Sequence, residues 1–208
     1  MTKASRLYGG LSDSARRASR RERLLGAALQ LFGTAGYHKT TIPMLCSESA
    51  VTARHFYEEF ASREELLRAV LDDIAERTYE IVREALRATG VPVHERVLAS
   101  NHAYYTYLTE DPRRARIYSL ESLGISVELE QHRRELRERS VRQLTRATEW
   151  LGPHGVPSDL DSRLVSIGLA SAAIAILAEW VLAQHKPAVE KMAQTLTLIW
   201  MRTLRLEH

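Results

Sequence analysis

Side chains able to bind phosphate groups and the edges of nucleic-acid bases are concentrated between residues 39 and 63. Lysine and hydroxyl groups bind phosphate oxygens, and one arginine can donate two hydrogen bonds to a guanine. Catalytic metal chemistry has no comparable pattern, because the eight histidines form no HExxH pair and the chain has one cysteine. The spacing therefore favours nucleic-acid binding over catalysis.

Two short helices must position these groups. Apolar spacing predicts a helix over residues 42–47, a tight turn over 48–51 and a second helix over 52–60, for which Thr52 is the N-cap. Ser62 starts a further helix in the same way, with a glutamate three residues on as in a capping box. Two short helices joined by a few residues form a helix-turn-helix, whose second helix fits the major groove of DNA.

A longer ordered pattern covers residues 22–67. A helix ends in a phenylalanine and a glycine, and an aromatic residue and two threonines follow. A small-residue turn then precedes a tyrosine, a phenylalanine and a basic residue before a Glu-Glu-Leu-Leu helix start. These positions are Phe32, Gly36, Tyr37, Thr40, Thr41, Ser49–Thr52, Tyr57, Phe60, Arg63 and Glu64–Leu67. In this order they resemble the N-terminal domain of the tetracycline-repressor (TetR) family of transcriptional regulators.

The resemblance implies an all-α fold of about nine helices, with a three-helix helix-turn-helix DNA-binding domain before a helical ligand-binding and dimerisation domain. We expect a basic arm over residues 1–19, the DNA-binding domain over 20–67, the effector-binding and dimerisation domain over 68–205, and a tag-like remnant over 206–208. The family pairs its last two helices in a homodimer, so helices 8 and 9 are assigned that role. A small effector bound within helices 4 to 8 would release a palindromic operator, and repression is the family's usual mode.

The expected DNA contacts fall into two groups. On the recognition helix, Arg54 is able to make the paired guanine contact, with a phosphate contact as its alternative. Thr52 is expected to cap the helix, Ala53 to meet a thymine methyl group, and His55 to bond a base edge or a phosphate. Phosphate positioning is expected from Lys39, Thr40, Thr41, Tyr57 and Arg63.

Three features depart from the family pattern. Ala50 stands where the turn usually has a glycine, so a left-handed backbone there would cost about 1 kcal/mol or more. Arg63 replaces a lysine, which keeps the charge and changes the donor geometry. Glu58 and Glu59 add negative charge, which predicts either weaker nonspecific binding or neutralisation by nearby arginines.

Charge is distributed unevenly along the chain. Residues 1–63 hold 10 Lys/Arg and 5 Asp/Glu, a net charge of +5, whereas residues 64–208 carry a net charge of −2. This asymmetry favours phosphate contact at the N-terminal end. Several arginines lie before or within the first helix, which is predicted to start at Arg20. An arm of this kind either reaches DNA or is a disordered terminus.

The remaining predicted helices run over residues 63–90, 92–109, from 112, and over 127–151, 158–185 and 187–204. Within this part, residues 164–183 are largely apolar. Glu179 and the many small residues there favour a helix buried on most of its circumference over a membrane span. With no apolar signal core near the N-terminus and one cysteine, we expect a cytoplasmic protein.

Aromatic side chains with a few polar groups are candidates for an effector pocket. Asn101 is the polar member of an otherwise apolar face of helix 5, and ordinary core packing is the alternative for each candidate. The expected pocket residues are Asn101, Tyr104, Tyr105, Tyr118, Glu121, Trp150 and Trp180. Such walls suit a hydrophobic or aromatic effector.

An all-helical enzyme and a partner-binding scaffold are the alternatives to a regulator. An enzyme would have to assemble a group such as His102, Tyr118 and Glu121 by folding, and their spacing matches no motif. A scaffold would not need threonines, Tyr57 and a basic residue around a recognition helix. We therefore expect no catalytic residue, metal site or cofactor, and we assign Cys46 to the core.

Overall fold

Helices form the regular structure in the part of the chain that the structure describes. The computed structural model describes residues 13–151, 156–157 and 159–206, with the main chain alone for 149–151. These ranges contain no strand and nine α-helices: α1 Asp13–Thr34, α2 Ile42–Ser49, α3 Ala53–Glu59, α4 Arg63–Leu86, α5 Val93–Glu110, α6 Pro112–Arg116, α7 Val127–Leu151, α8 Ser162–Leu182 and α9 Val189–Thr203. A π-helical turn, Ile117–Glu121, continues α6. The all-α prediction is confirmed.

Side-chain caps start α3 and α4 at Thr52 and Ser62, as predicted, and Thr41 caps α2 in addition. The hydroxyls of Thr41, Thr52 and Ser62 each accept the backbone N–H three residues on, at 3.4, 3.3 and 3.1 Å. Each bond satisfies a donor that the first helical turn leaves unpaired. In a capping box the Glu65 carboxylate would accept from the backbone N–H of Ser62. Here it accepts from the Ala61 N–H instead, at 2.6 Å.

The turn between α2 and α3 contains the left-handed residue that the sequence pattern requires. Ala50 has φ 50° and ψ 41°, and the next N–H, of Val51, donates to the Cys46 carbonyl at 3.1 Å. This is a Schellman ending with alanine in the place that glycine usually takes. Arg23 of α1 donates to the Ser49 and Ala50 carbonyls at 2.9 and 3.0 Å, so α1 stabilises the turn through two hydrogen bonds.

Helix α1 begins at Asp13, earlier than the predicted start at Arg20. Its early residues pack beside α3: Arg17 and Arg20 lie 3.2 and 3.5 Å from the Glu59 carboxylate. Residues 13–19 of the predicted arm are therefore helical, which corrects that assignment, and residues 1–12 lie outside the described residues.

Two connections join α1–α3 to the rest of the chain. The first is the 24-residue helix α4, which packs on α1, α5 and α7. The second is α6 with its π-helical turn, which packs on α1. There Gly33 lies against Arg113, and Glu121 accepts the Tyr37 N–H at 3.0 Å and pairs with Arg116 at 2.7 Å. Helix α5 lies between α4 and α9, and α7 packs on α8.

Helix α8 is the one helix in the described residues that is long and apolar enough to cross a membrane. Only 28% of its most apolar window is buried within the single chain. The prediction that it is buried on most of its circumference is therefore wrong for the single chain. Its open face carries Leu164 and Leu182, each 66% exposed, with the small residues Gly168, Ser171 and Ala175 and the exposed Glu179 between them.

Candidate nucleic-acid interface and effector cavity

Helix α3 has one buried and one exposed face. Phe56 is fully buried and Phe60 is 2% exposed, so these rings fix the helix on its neighbours. Ala53, Arg54 and Tyr57 project from the opposite face, and Tyr57 is 58% exposed. An exposed face on a capped helix after a tight turn has the geometry needed to enter a major groove.

The side chains of this surface differ in their exposure and in their intramolecular contacts. The Arg54 side chain is 87% exposed, and its Nε lies 3.3 Å from a Glu58 carboxylate oxygen. An exposed pair of this kind contributes little to stability, so Arg54 can exchange it for a base or a phosphate. Lys39 and Thr41 are exposed beside the start of α2, and His55 is half-buried.

The two glutamates of α3 are neutralised by arginines, which is the second of the two predicted outcomes. The Glu59 side chain is 2% exposed and lies between Arg17 and Arg20 of α1. Arg20 also approaches Glu58 at 3.9 Å, and Arg17 donates to the Glu58 carbonyl at 3.3 Å. The basic residues of α1 therefore bind the recognition helix, and Arg21 stacks over Phe60 at 4.5 Å.

Thr40 does not belong to the exposed surface. It is fully buried, and its hydroxyl donates to the Gly36 carbonyl at 2.8 Å. Its N–H donates to the Tyr37 carbonyl at 3.2 Å, so neither donor is free for a phosphate. The expected phosphate contact at Thr40 is wrong, because packing of the loop between α1 and α2 takes the side chain inward.

Arg63 has an intramolecular role that the sequence pattern did not predict. It donates to the carbonyls of Tyr37, at 3.1 Å, and Thr40, and its guanidinium lies 4.4 Å from the centre of the Tyr37 ring. One arginine thus ties the start of α4 to the loop before α2. A lysine has no planar group to stack and donate at once, which gives the replacement a physical reason.

A cavity of about 60 Å³ lies between α4, α5, α7, α8, α9 and the π-helical turn. A space of this size holds only a few water molecules. Leucine, alanine, valine and isoleucine side chains form much of its wall. Its polar and aromatic lining residues are Thr78, Tyr79, Ser100, Asn101, Tyr104, Tyr118, Arg137, Ser140, Gln143 and Trp200.

The cavity takes in three of the seven expected pocket residues: Asn101, Tyr104 and Tyr118. Tyr105 is fully buried behind the cavity wall, where its hydroxyl donates to the carbonyl of the lining residue Ala173 at 3.2 Å. Glu121 faces the loop after α1 instead of the cavity. These two assignments to the pocket are wrong, because neighbouring helical positions point in different directions.

Trp180 also lies away from the cavity. It is 7% exposed near the end of α8, where the Lys186 ammonium stacks over its ring at 4.1 Å and donates to its carbonyl at 2.9 Å. It stabilises that helix end, so its assignment to the pocket is wrong as well. Trp150 lies outside the residues whose side chains are described. Trp200 lines the cavity and was missed, because the apolar spacing of α9 alone marks it as core.

The N-terminal helices thus have the organisation of a helix-turn-helix DNA-binding protein. Residues 24–70 match the family model described as bacterial regulatory proteins, tetR family. A stretch of 101 residues, 49% of this chain, is 31% identical to the HTH-type transcriptional activator FasR of Mycolicibacterium smegmatis. That match covers 46% of the relative's length. Residues 24–70 therefore form a segment of the TetR type, the DNA-binding part of this family of transcriptional regulators.

Solved structures share the fold over most of the chain. The fatty acid degradation regulator FadR from Bacillus halodurans has a TM-score of 0.79 and 18% identity, over 89% of this chain and 96% of its own. The regulator FadR from Bacillus subtilis, in complex with stearoyl-CoA, has a TM-score of 0.78 and 17% identity, over 90% and 99%. At these identities the likeness establishes the fold alone.

Proposed function

We propose that this protein is a homodimeric, cytoplasmic repressor that binds a palindromic operator and is released from it by a small hydrophobic effector. In this proposal residues 20–67 are the DNA-binding domain and residues 68–205 bind the effector and form the dimer. The observation that carries the proposal is the exposed face of α3, with Ala53, Arg54 and Tyr57 opposite the buried Phe56.

Within that surface, Arg54 distinguishes between bases, and the other residues bind the phosphates of the DNA backbone. A two-hydrogen-bond contact to guanine discriminates bases by about 1–3 kcal/mol. The phosphate contacts are assigned to Lys39, Thr41, Tyr57 and the remaining donors of Arg63, with Thr52 as cap.

The test compares Arg54→Ala with Lys39→Ala on the operator and on a random duplex of equal length. Arg54→Ala lowers the ratio of the two affinities, whereas Lys39→Ala weakens both alike and reduces the salt dependence. Equal losses on both duplexes in both variants would refute the division of roles. The operator for this assay comes from selection among genomic fragments.

The open face of α8 supports dimerisation through α8 and α9. Leu164 and Leu182 on α8 and Leu198 on α9 are 66, 66 and 47% exposed, which is unusual for leucines on two adjacent helices. Small side chains between the two α8 leucines permit a second copy to approach closely. Sedimentation of Leu198→Glu tests this, with Val127→Glu as control, because Val127 is 82% exposed at the start of α7. Leu198→Glu sediments as a monomer and Val127→Glu as a dimer; the reverse would refute the assignment.

The cavity supports an effector site. A regulator of the same fold, from Bacillus subtilis, has been solved with stearoyl-CoA, and the mostly apolar wall here suits a hydrophobic molecule as well. Because about 60 Å³ holds only a few waters, a larger effector fits only if the wall moves.

The π-helical turn connects the cavity wall directly to the DNA-binding helices. The π-helical turn carries Tyr118 in the cavity wall and, three residues on, Glu121 on the Tyr37 N–H. A displacement of Tyr118 therefore acts on the loop that precedes α2, in parallel with α4. An effector that binds better to the displaced conformation lowers DNA affinity by the same factor by which DNA lowers effector affinity.

Repression requires only that the dimer occupy its operator, whereas activation also requires a productive contact with polymerase. A reporter gene with the selected operator across its promoter tests the sign of regulation. Expression falls when the protein is present and recovers in Arg54→Ala. A rise with the parent protein would favour activation, the role named for the Mycolicibacterium smegmatis relative.

A further inference from the structure

Two hydrogen-bond donors in the cavity wall are left unpaired. The Tyr104 hydroxyl and the Trp200 indole N–H are buried and have no hydrogen-bond partner among the described residues. Tyr104 is 8% exposed and Trp200 is 4% exposed, and both line the same cavity. A buried donor without a partner is costly, so two beside one cavity point to an acceptor that occupies it.

Two other polar side chains of the cavity wall are already bonded. Asn101 Nδ2 donates to Thr197 Oγ1 at 3.0 Å, and the Tyr79 hydroxyl donates to the Leu136 carbonyl at 2.5 Å. Burial raises the pKa of Tyr104 well above its usual value, so this hydroxyl is a neutral donor at physiological pH. An indole N–H is a donor only. The two unpaired groups therefore select an oxygen with lone pairs.

An arginine-lined groove adjoins the cavity. It has a volume of about 210 Å³ and shares Tyr118, Arg137 and Ile174 with the cavity wall. Glu130 in this groove pairs with Arg133 at 3.1 Å, and Arg134 and Arg137 are exposed beside that pair. Its surplus positive charge suits an anionic group next to the apolar interior.

We propose that the site binds an acyl compound after its wall has moved to enlarge the cavity: an apolar chain in the cavity, a carbonyl oxygen that accepts from Tyr104 and Trp200, and an anionic end at Arg134 and Arg137. This names the effector class of the regulator proposed above and rests on that proposal. A fatty acyl thioester of a phosphate-bearing carrier has the carbonyl and the anionic end as separate groups, whereas in a free fatty acid one carboxylate is both.

A matched pair of ligands tests the carbonyl contact without any mutation. Dodecanoyl-CoA and its thioether analogue S-dodecyl-CoA differ in the carbonyl oxygen alone. Titration calorimetry of the purified protein without DNA gives about tenfold tighter binding of the acyl compound, because one or two buried donors gain a partner. Equal affinities would overturn the carbonyl contact, and would mean that water pairs with both donors in either complex.

Adjacent tyrosines supply matched variants. Tyr104→Phe reduces the preference for dodecanoyl-CoA several-fold, whereas Tyr105→Phe retains it, because the Tyr105 hydroxyl is bonded to the Ala173 carbonyl behind the cavity wall. Trp200→Phe gives a second reading if Tyr104→Phe fails to fold. A preference that persists in both cavity variants would overturn the assignment.

Charge variants and a third ligand identify the anionic end. Combined Arg134→Gln and Arg137→Gln weakens dodecanoyl-CoA and S-dodecyl-CoA alike and lowers the salt dependence of binding. If dodecanoate binds as tightly as dodecanoyl-CoA, the free acid is the ligand. If dodecanoate binds much more weakly than dodecanoyl-CoA, the thioester is the ligand. Failure of all three to bind would overturn the acyl class.

Separate assays distinguish a wrong ligand class from a wrong regulator function. Binding is measured without DNA, and release is measured separately with the selected operator. If dodecanoyl-CoA binds and leaves operator affinity unchanged, the ligand class stands and effector control of DNA binding is refuted. If no acyl ligand binds while the operator is bound specifically, the ligand class is refuted and the regulator stands.

Discussion

At Gly33 the backbone of α1 closely approaches the backbone of α6. A Cβ added there would lie 2.4 Å from the Arg113 Cβ and 2.9 Å from its Cα. Carbon atoms without a bond between them sit about 3.5–4.0 Å apart, so Gly33→Ala forces α1 and α6 to separate by roughly 1 Å. Overpacking of this kind costs about 1–3 kcal/mol.

A second glycine of the same helix provides the control. Gly26 is exposed, and a Cβ added there meets nothing within 4 Å. Replacement of a helical glycine by alanine stabilises by about 0.5–1 kcal/mol, and this gain is common to both variants. The free energy of unfolding of Gly33→Ala is therefore lower than that of Gly26→Ala by the overpacking cost, about 1–3 kcal/mol.

Urea denaturation followed by circular dichroism measures this difference. All proteins are compared at one concentration, because the stability of a dimer depends on concentration. Gly26→Ala unfolds at higher urea than the parent and Gly33→Ala at lower urea. If Gly33→Ala is as stable as Gly26→Ala, the close approach of α1 and α6 relaxes freely and cannot transmit movement between them.

Three further variants test other contacts. Ala50→Gly relieves the left-handed alanine and raises stability by about 0.5–1 kcal/mol, measured as a rise in melting temperature of about 1–4 °C; an unchanged or lower value would contradict the strain. Glu121→Ala removes the acceptor of the Tyr37 N–H, so the operator affinity measured with dodecanoyl-CoA approaches that without it; an undiminished ratio would contradict the route through the π-helical turn. Hydrogen bonds from Arg113 lower the pKa of Asp111 in the folded protein. The ionised carboxylate therefore stabilises the fold above the pKa of the unfolded state, and this stabilisation is lost as pH falls through the pKa of the folded state. Urea unfolding between about pH 5 and 3 shows a smaller loss of stability for Asp111→Asn than for the parent protein.

The helix-turn-helix was predictable because its determinants are local. Thr52 and Ser62 cap helices with their own side chains, and Gly36 and Ala50 occupy the left-handed positions that end α1 and α2. Each of these features depends on residues within a few positions along the chain. The apolar stripe of α5 was predictable for the same reason, since helical periodicity specifies which positions share a face.

The early start of α1 was not predictable from local pattern. The segment around Arg17 has no apolar stripe, and its helix is held by ion pairs to Glu59, which lies 42 residues away in the chain. The cavity assignments failed for a related reason. Tyr104 and Tyr105 are neighbours in sequence, and the rotation of α5 between α4 and α9 decides which of them meets the cavity. Burial of Thr40 depends likewise on how its loop packs.

Selection of duplexes from fragmented genomic DNA by the purified protein tests the central claim most directly, with footprinting of the enriched sequence. We expect one inverted repeat, protected on two successive major grooves whose centres lie about 34–36 Å apart. Arg54→Ala would lose protection of particular guanines in each half. Enrichment of no sequence over random duplex, or protection unrelated to a repeat, would contradict the account.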